Sequence, residues 1–408
     1  MNPGKRIQKS ITVLYCLVQM LYWSSGFTTV GYAAAYLGKI GFSNAAIGLI
    51  TAVASLAGFA LVFCLSVRID QAGGASLHRV LACLLLIQML LITFFAFFRR
   101  ASALLAVLYA LFLADGHAMN SLFSKMYINL KKHGIRIDFG FARGLGSLAF
   151  AGSSFAIGYL IAQRQEAFVH YLTLAFYALL LPATLLIQKL VDRLPAVLES
   201  DPTLAEEKAP LRTGAFLRDY RFFIILVLGV SLVSASNKTF TTFLVNVVQG
   251  LGGDTRSFTT ISGFLALIEI PVMLFFSKIR RKRSISSMLL ISLLLYAVKL
   301  GGAAAARSLP VLFAAVSAQT FAAGLYHPAS VEFIRETIPH KDTAKCQALL
   351  DGAPVFISFL TITGFGVLLD SVPVRSACVI LFLLALLGTL VCRLVISRVQ
   401  SVTPDRDQ

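Results

Sequence analysis

The sequence predicts an all-α membrane protein of twelve spanning helices arranged as two six-helix halves. Three observations predict it: too few charges for a water-facing surface, a dozen apolar stretches of spanning length, and basic residues that alternate between the segments joining them. Of 408 residues, 57% are hydrophobic and 13% charged. A soluble domain carries about a quarter of its residues charged, so most of this surface must face lipid.

A spanning helix needs roughly 20 apolar residues. Such stretches fall at 11–37, 43–67, 76–98, 102–129, 140–163, 168–190, 220–248, 254–278, 286–306, 309–335, 345–369 and 374–398. The first follows Lys5, Arg6 and Lys9 and is longer than the roughly 7–15 residues of a signal-peptide core, so it reads as a span. The long polar stretch 191–219, with Pro195, Pro202 and Pro210, separates six spans from six. The expected organisation is an N-terminal half 1–190, a cytoplasmic linker 191–219 and a C-terminal half 220–408.

Lys and Arg set orientation, because segments rich in them stay cytoplasmic. With the N-terminus inside, and residues at span ends counted with the segment they adjoin, 25 of the 36 basic residues fall on the cytoplasmic side and 7 on the opposite side. The other four, Lys125, Arg143, Lys238 and Lys299, lie deeper within spans. Both termini are therefore expected in the cytoplasm, and the location is expected to be a bacterial inner membrane. The net charge of +17 follows the same alternation and forms no single patch, which argues against nucleic acid. Cys16, Cys64, Cys83, Cys346, Cys378 and Cys392 show no CxxC spacing and read as small apolar residues rather than disulfides or metal ligands. The chain has no HExxH, GxSxG or Gly-rich Lys-Ser/Thr loop. Neither catalysis, a cofactor nor ATP hydrolysis is expected.

The halves echo each other. Gly41 precedes Ser66 by 25 residues, as Gly252 precedes Ser277; Gly146 and Gly158 are 12 apart, as are Gly352 and Gly364. Repeated halves with solute bound near the midplane are a known solution for alternating access.

A charge at the bilayer centre costs roughly 2.5–3.5 kcal/mol on insertion scales, so ionisable residues within spans need a reason. Glu269 lies in Ile268-Glu269-Ile270-Pro271 with apolar residues on both sides. Desolvation favours the neutral form of a carboxyl group, which is what a proton carrier requires. Lys299 in span 9 is its expected partner, either in a pair that breaks on protonation or in a permanent brace. His327 precedes Pro328 and shares a predicted helix face with Thr320 and Ser330; Pro328 is expected to loosen the helix locally. Histidine titrates near neutral pH, so substrate and proton roles are both open to it. Span 7 carries a polar stripe of Ser231, Ser234, Lys238 and Thr241. Span 4 carries another of His117, Asn120, Ser121 and Ser124. Asp115 lies about 160° round that helix from His117, at about 100° per residue, and remains a mid-span carboxylate. Lys125, Glu332 and Asp351 lie near helix ends, where snorkelling is cheap, and read as structural.

Residues 138–158, beginning Asp-Phe-Gly-Phe-Ala-Arg-Gly-Leu-Gly-Ser, resemble the start of span 5 in the oligosaccharide:proton symporters of the major facilitator superfamily, the lactose permease relatives. Gly41-Phe42-Ser43, Ile47-Gly48, Glu269-Ile270-Pro271 and His327 extend the resemblance. It implies the major facilitator fold, with Arg143 as a sugar-binding arginine, Glu269 as the span 8 acid and His327 as the span 10 histidine. There are departures. The family's span 10 glutamate follows its histidine by one turn, whereas Glu332 lies five residues after His327. Lys238 stands where span 7 acids are usual, which suits an anionic solute. Of the superfamily's loop 2–3 signature, only Ser66, Asp70 and Gly73 remain.

The resulting expectation is a secondary active transporter, a proton-coupled symporter for a small polar or anionic solute such as a sugar, nucleoside or aromatic or organic acid. Proton coupling falls to Glu269, His327, Lys299 and Asp115; substrate binding falls to Arg143, His327, Lys238, His117 and Asn120. The alternative is efflux of drugs or metabolites by proton antiport. The expected partners are the solute, protons and membrane lipid, with the protein a monomer.

Overall fold

A computed structural model gives the fold. It describes the backbone of residues 3–72, 74–98, 100–135, 137–163, 167–194, 216, 218–280 and 283–400. Within those ranges the side chains of 3–5, 70, 72, 74, 75, 167, 269, 272–280, 340, 341, 344 and 400 lie outside the description. Most of the expected linker 191–219, Gly73 and the side chain of Asp70 thus fall outside it.

The described residues form helices and no strands: α1 (Pro3–Gly26), α2 (Ala33–Lys39), α3 (Asn44–Ala72), α4 (Gly74–Phe97), α5 (Ala103–Lys132), α6 (Phe139–Ala162), α7 (Ala167–Val191), α8 (Arg221–Thr242), α9 (Leu244–Gly250), α10 (Thr255–Arg280), α11 (Ile285–Ala305), α12 (Leu309–Thr337), α13 (His340–Leu369) and α14 (Val374–Gln400). Ten of them are long and apolar enough to cross a membrane. The other two expected spans, 11–37 and 254–278, correspond to α1 with α2 and to α10. α1 and α10 have 24 and 26 residues, enough at 1.5 Å per residue to cross a hydrocarbon core of about 30 Å. Hydropathy therefore located the spans, because the bilayer leaves a helix no other way to satisfy its backbone.

Two spans are not single helices, and hydropathy does not reveal this. Between α1 and α2 the chain makes one π-helical turn, Phe27–Gly31. Ser25, Thr28 and Thr29 donate their hydroxyls to backbone carbonyls one turn back, at 2.7–2.9 Å, a pattern that bends helices. The corresponding point in span 7 has Thr241 and Thr242 donating to the carbonyls of Asn237 and Lys238. There α8 stops and α9 begins. Both short helices, α2 and α9, are followed by a glycine at positive φ: Gly41 at 103° and Gly252 at 79°. The sequence repeat at these glycines is thus a repeated turn that a side chain would strain.

Two compact units result. In one, Met1–Ala205 with Thr255–Leu267, α1 packs on α6 and α7, α4 packs on α5 and α7, and α3 packs on α5. In the other, Glu206–Asp254 with Ile268–Gln408, α8 packs on α13 and α14, while α11 packs on α12 and α14. Moving each helix six spans along converts most of the first set of pairings into the second. Helices in lipid associate by close packing rather than by hydrophobic drive, so small residues sit where backbones approach. Gly229 of α8 meets Gly388 of α14 in this way: a Cβ on Gly229 would come 2.8 Å from the Gly388 carbonyl oxygen. The other glycine echo is not matched in packing. Gly158 lies against Thr259, whereas Gly364 has open space beside it.

Local chemistry fixes the helix starts. Ser102 and Asp138 cap α5 and α6 by accepting from the amides of Leu105 and Phe141 at 3.2 and 2.9 Å, which satisfies otherwise orphaned donors. Tyr220 donates to Asp342 at 2.9 Å, and Lys345 reaches the same carboxylate at 2.9 Å, which ties the start of α8 to the start of α13. α12 continues through Pro328. All six cysteines are free.

Candidate functional site

The first unit holds two polar constellations. One is centred on Arg143, in the first turns of α6. Its Cζ lies 3.6 Å from the centre of the Trp23 ring system, and its Nη1 donates to Ser147 Oγ at 3.0 Å. Trp23, the only tryptophan, donates its Nε1–H to Gln19 Oε1 at 3.2 Å. Gln19 in turn donates to the Tyr15 hydroxyl at 2.9 Å. Tyr15, Gln19 and Trp23 are spaced by four on α1 and share one face. The indole reaches α6 because Gly146 carries no side chain; a Cβ there would lie 2.5 Å from Trp23 Cδ1. Sequence reading identified Arg143 and missed Trp23 and Gln19. The fourfold spacing of Tyr15, Gln19 and Trp23 was the available signal.

The other constellation surrounds Asp115 on α5. Its side chain is 4% exposed; the Gln88 side chain of α4 approaches the carboxylate, and among the described residues neither oxygen has a partner at full hydrogen-bond distance. Gln88 of α4, fully buried, donates from Nε2 to the Phe112 carbonyl at 2.7 Å and leaves its own Oε1 unpartnered. Tyr22 donates to the Gly116 carbonyl at 3.1 Å. Asp115 is within electrostatic reach of the hydroxyls of Tyr22 and Tyr177. The remaining span 4 stripe faces elsewhere, as its angular separation from Asp115 requires: His117 is half-buried, and Asn120, Ser121 and Ser124 are exposed. A polar stripe is costly against lipid and natural against water.

In the second unit Lys299 is 1% exposed on α11. Its ammonium donates to Asn237 Oδ1 of α8 at 2.7 Å and, at short range, to Gln319 Oε1 of α12. The face of Phe240 lies 4.6 Å from the same nitrogen. Among the described residues its partners are two amide oxygens and a ring. The side chain of Glu269 lies outside the described residues, and only its place in α10 is given. Lys238 is half-buried on α8.

His327 is exposed on α12, its ring edge-on to Tyr326 at 5.4 Å between centroids. Thr320 and Ser330, expected on its face, are buried, so the three do not form one open stripe. Among the described residues, Asp351 of α13 lies within electrostatic reach of His327 and accepts from Gln347 at 2.9 Å. Asp351 reads from sequence as a helix-end residue, since packing between two spans leaves no trace in spacing. Glu332 pairs at 3.5 Å with Arg335. Among the described residues no cluster of three or more His, Cys, Asp or Glu side chains could hold a metal.

Comparison with known proteins places this arrangement. No curated protein sequence matches the chain. Among solved structures, a point mutant of the nucleoside transporter NupG superposes with a TM-score of 0.77 at 14% identity, covering 95% of this chain and 99% of that one. A bacterial homolog of the human lysosomal transporter Spinster, inward-facing and unoccupied, gives 0.70 at 14% identity over 100% of both chains. A POT family transporter in complex with 5-aminolevulinic acid gives 0.70 at 9% identity, covering 96% of each. At such identities the likeness shows the fold, that of multi-pass transporters of the major facilitator type. The family is given by residues 13–358, which match the MFS_1 like family: the chain belongs to that family and is a multi-pass membrane transporter.

Proposed function

We propose that the protein is a proton-coupled symporter that moves a small polar or anionic solute by alternating access. The observation that carries this reading is Asp115. A charge buried in a span with only the Gln88 amide approaching it among the described residues is unfavourable, and taking up a proton removes it. A group that can hold a proton inside the membrane, on a helix that also presents a polar stripe, is what coupling a solute to a proton gradient needs. Glu269 and His327, with Asp351 beside it, are further proton-handling positions in this reading.

Arg143 and Lys238 are the proposed solute contacts, with His117, Asn120 and His327 as polar partners, and Lys299 contributes a fixed positive charge. The excess of cations over acids at these positions favours an anionic solute. The nucleoside transporter NupG and the POT family transporter that holds 5-aminolevulinic acid support a solute of that size. The proposed setting is a bacterial inner membrane, with both termini cytoplasmic and a monomer as the working unit.

The test uses proteoliposomes with an imposed pH gradient of either sign and membrane-impermeant labelled glucuronate, lactose and adenosine. Symport predicts that one of them accumulates when the outside is acidic. Uptake driven only by an acidic interior would instead establish antiport and efflux, and uptake indifferent to pH would end the proton-coupled reading.

A further inference from the structure

Lys299 fixes which way two side-chain amides point. An ammonium only donates, so Asn237 of α8 and Gln319 of α12 both turn their oxygens toward it. The face of Phe240 covers another side of the nitrogen, at 4.6 Å, and Lys299 itself is 1% exposed on α11. All three helices belong to one compact unit. An amide is planar, with its oxygen and its NH2 on opposite sides of the terminal carbon. With both oxygens held inward, both NH2 groups point away from the lysine.

Those outward ends are open. Asn237 and Gln319 are only half-buried. Among the described residues neither amide nitrogen has a hydrogen-bond partner, and neither is sealed from the surface. An unpaired amide turned to hydrocarbon is costly. Asn237 instead adjoins Ser234, Lys238 and Thr241 on the polar stripe of α8, all half-buried or exposed. The two donors therefore belong to a face that water or a solute reaches. The buried ammonium behind them polarises both amides and strengthens their N–H groups as donors. It also leaves a cation nothing to bind there, since N–H groups do not accept and the lysine repels.

We propose that Asn237 and Gln319 are a donor pair for the solute, and that Lys299 is a positioning residue which fixes their direction without touching the solute. The group they take is an oxygen acceptor, and an ammonium group is rejected. This rests on the transporter reading above and adds to it two binding residues and a role for Lys299.

The test separates the bond that holds the helices from the bond offered to solute. Asn237→Asp and Gln319→Glu keep the size of each side chain and an oxygen for Lys299, but remove the NH2. Their thermal midpoints in detergent should equal or exceed that of the unmodified protein, because the ammonium now meets a carboxylate. Binding is measured by equilibrium dialysis with labelled glucuronate, adenosine and benzamide, and with benzylamine as the cationic counterpart of benzamide. At least one oxygen-bearing probe should bind the unmodified protein saturably, and benzylamine should not. Each acid variant should weaken that binding ~3- to 10-fold, the worth of one hydrogen bond. Asn237→Leu combined with Lys299→Met removes the same donor without adding a charge, and should weaken binding as much.

Unchanged affinity in both acid variants, or in the Leu and Met double variant, would overturn the donor pair and show that the amides only brace Lys299. Benzylamine binding as tightly as benzamide, or no binding by any oxygen-bearing probe, would overturn the acceptor class. Uptake by the unmodified protein under a pH gradient is measured separately, so the transporter reading stands or falls without these results.

Discussion

Lys299 donates a 2.7 Å hydrogen bond to Asn237 from a position that is 1% exposed, so a buried ammonium is held by a neutral amide. Gln319 is its second amide partner. Removing a partner from a buried charge costs more than the bond itself is worth, because the charge is left stranded. Asn237→Leu and Gln319→Leu should each lower stability by about 1–3 kcal/mol, read as a fall in the thermal midpoint in detergent. Lys299→Met added to either variant should recover most of the loss, since the stranded charge is gone. Additive losses in the double variants would show that Lys299 is not what these amides serve.

The repeated turns make a second prediction. Gly41 and Gly252 hold φ of 103° and 79°, where any Cβ is strained. Gly41→Ala and Gly252→Ala should each cost about 1–2 kcal/mol with the solute site untouched. Thermal midpoints and solute affinity measured together check this. A loss at one glycine and not at the other would deny that the turns are equivalent.

His327 and Asp351 make a third. If the approach of α13 to α12 places them in one functional pair, His327→Gln and Asp351→Asn should not act independently. Their coupling in initial uptake rates, taken from the double-mutant cycle, should lie within roughly 0.5–3 kcal/mol. Additive effects would return Asp351 to a purely structural role at its helix end.

These pairings show what the sequence could and could not convey. The spans were legible because a bilayer allows little except an apolar helix of fixed length. The repeated glycines 41 and 252 were legible as a spacing, and the structure supplies their reason, the left-handed turn. The breaks after Thr29 and Thr242 were not legible, because hydroxyls that bond back to carbonyls leave hydropathy unchanged. At the site, Arg143 was found through the motif that surrounds it. Trp23 and Gln19 were not, since Trp23 meets a residue 120 positions away and Gln19 meets Trp23. The expected partner of Lys299, Glu269, has its side chain outside the described residues; the two amides and the phenyl ring that do meet Lys299 come from other spans and leave no trace in its own spacing. Asp351 was placed with the snorkelling residues because its distance from the end of a helix is readable and its neighbour across a helix interface is not.

Asp115→Asn, compared with the unmodified protein in proteoliposomes, tests the coupling proposal most directly. Asparagine keeps the size and polarity of the buried group and cannot carry a proton. The expected result is that the variant exchanges labelled for unlabelled solute across the membrane at near the normal rate while losing accumulation driven by an acidic exterior. Accumulation by Asp115→Asn equal to that of the unmodified protein would contradict the assignment of proton coupling to this carboxyl.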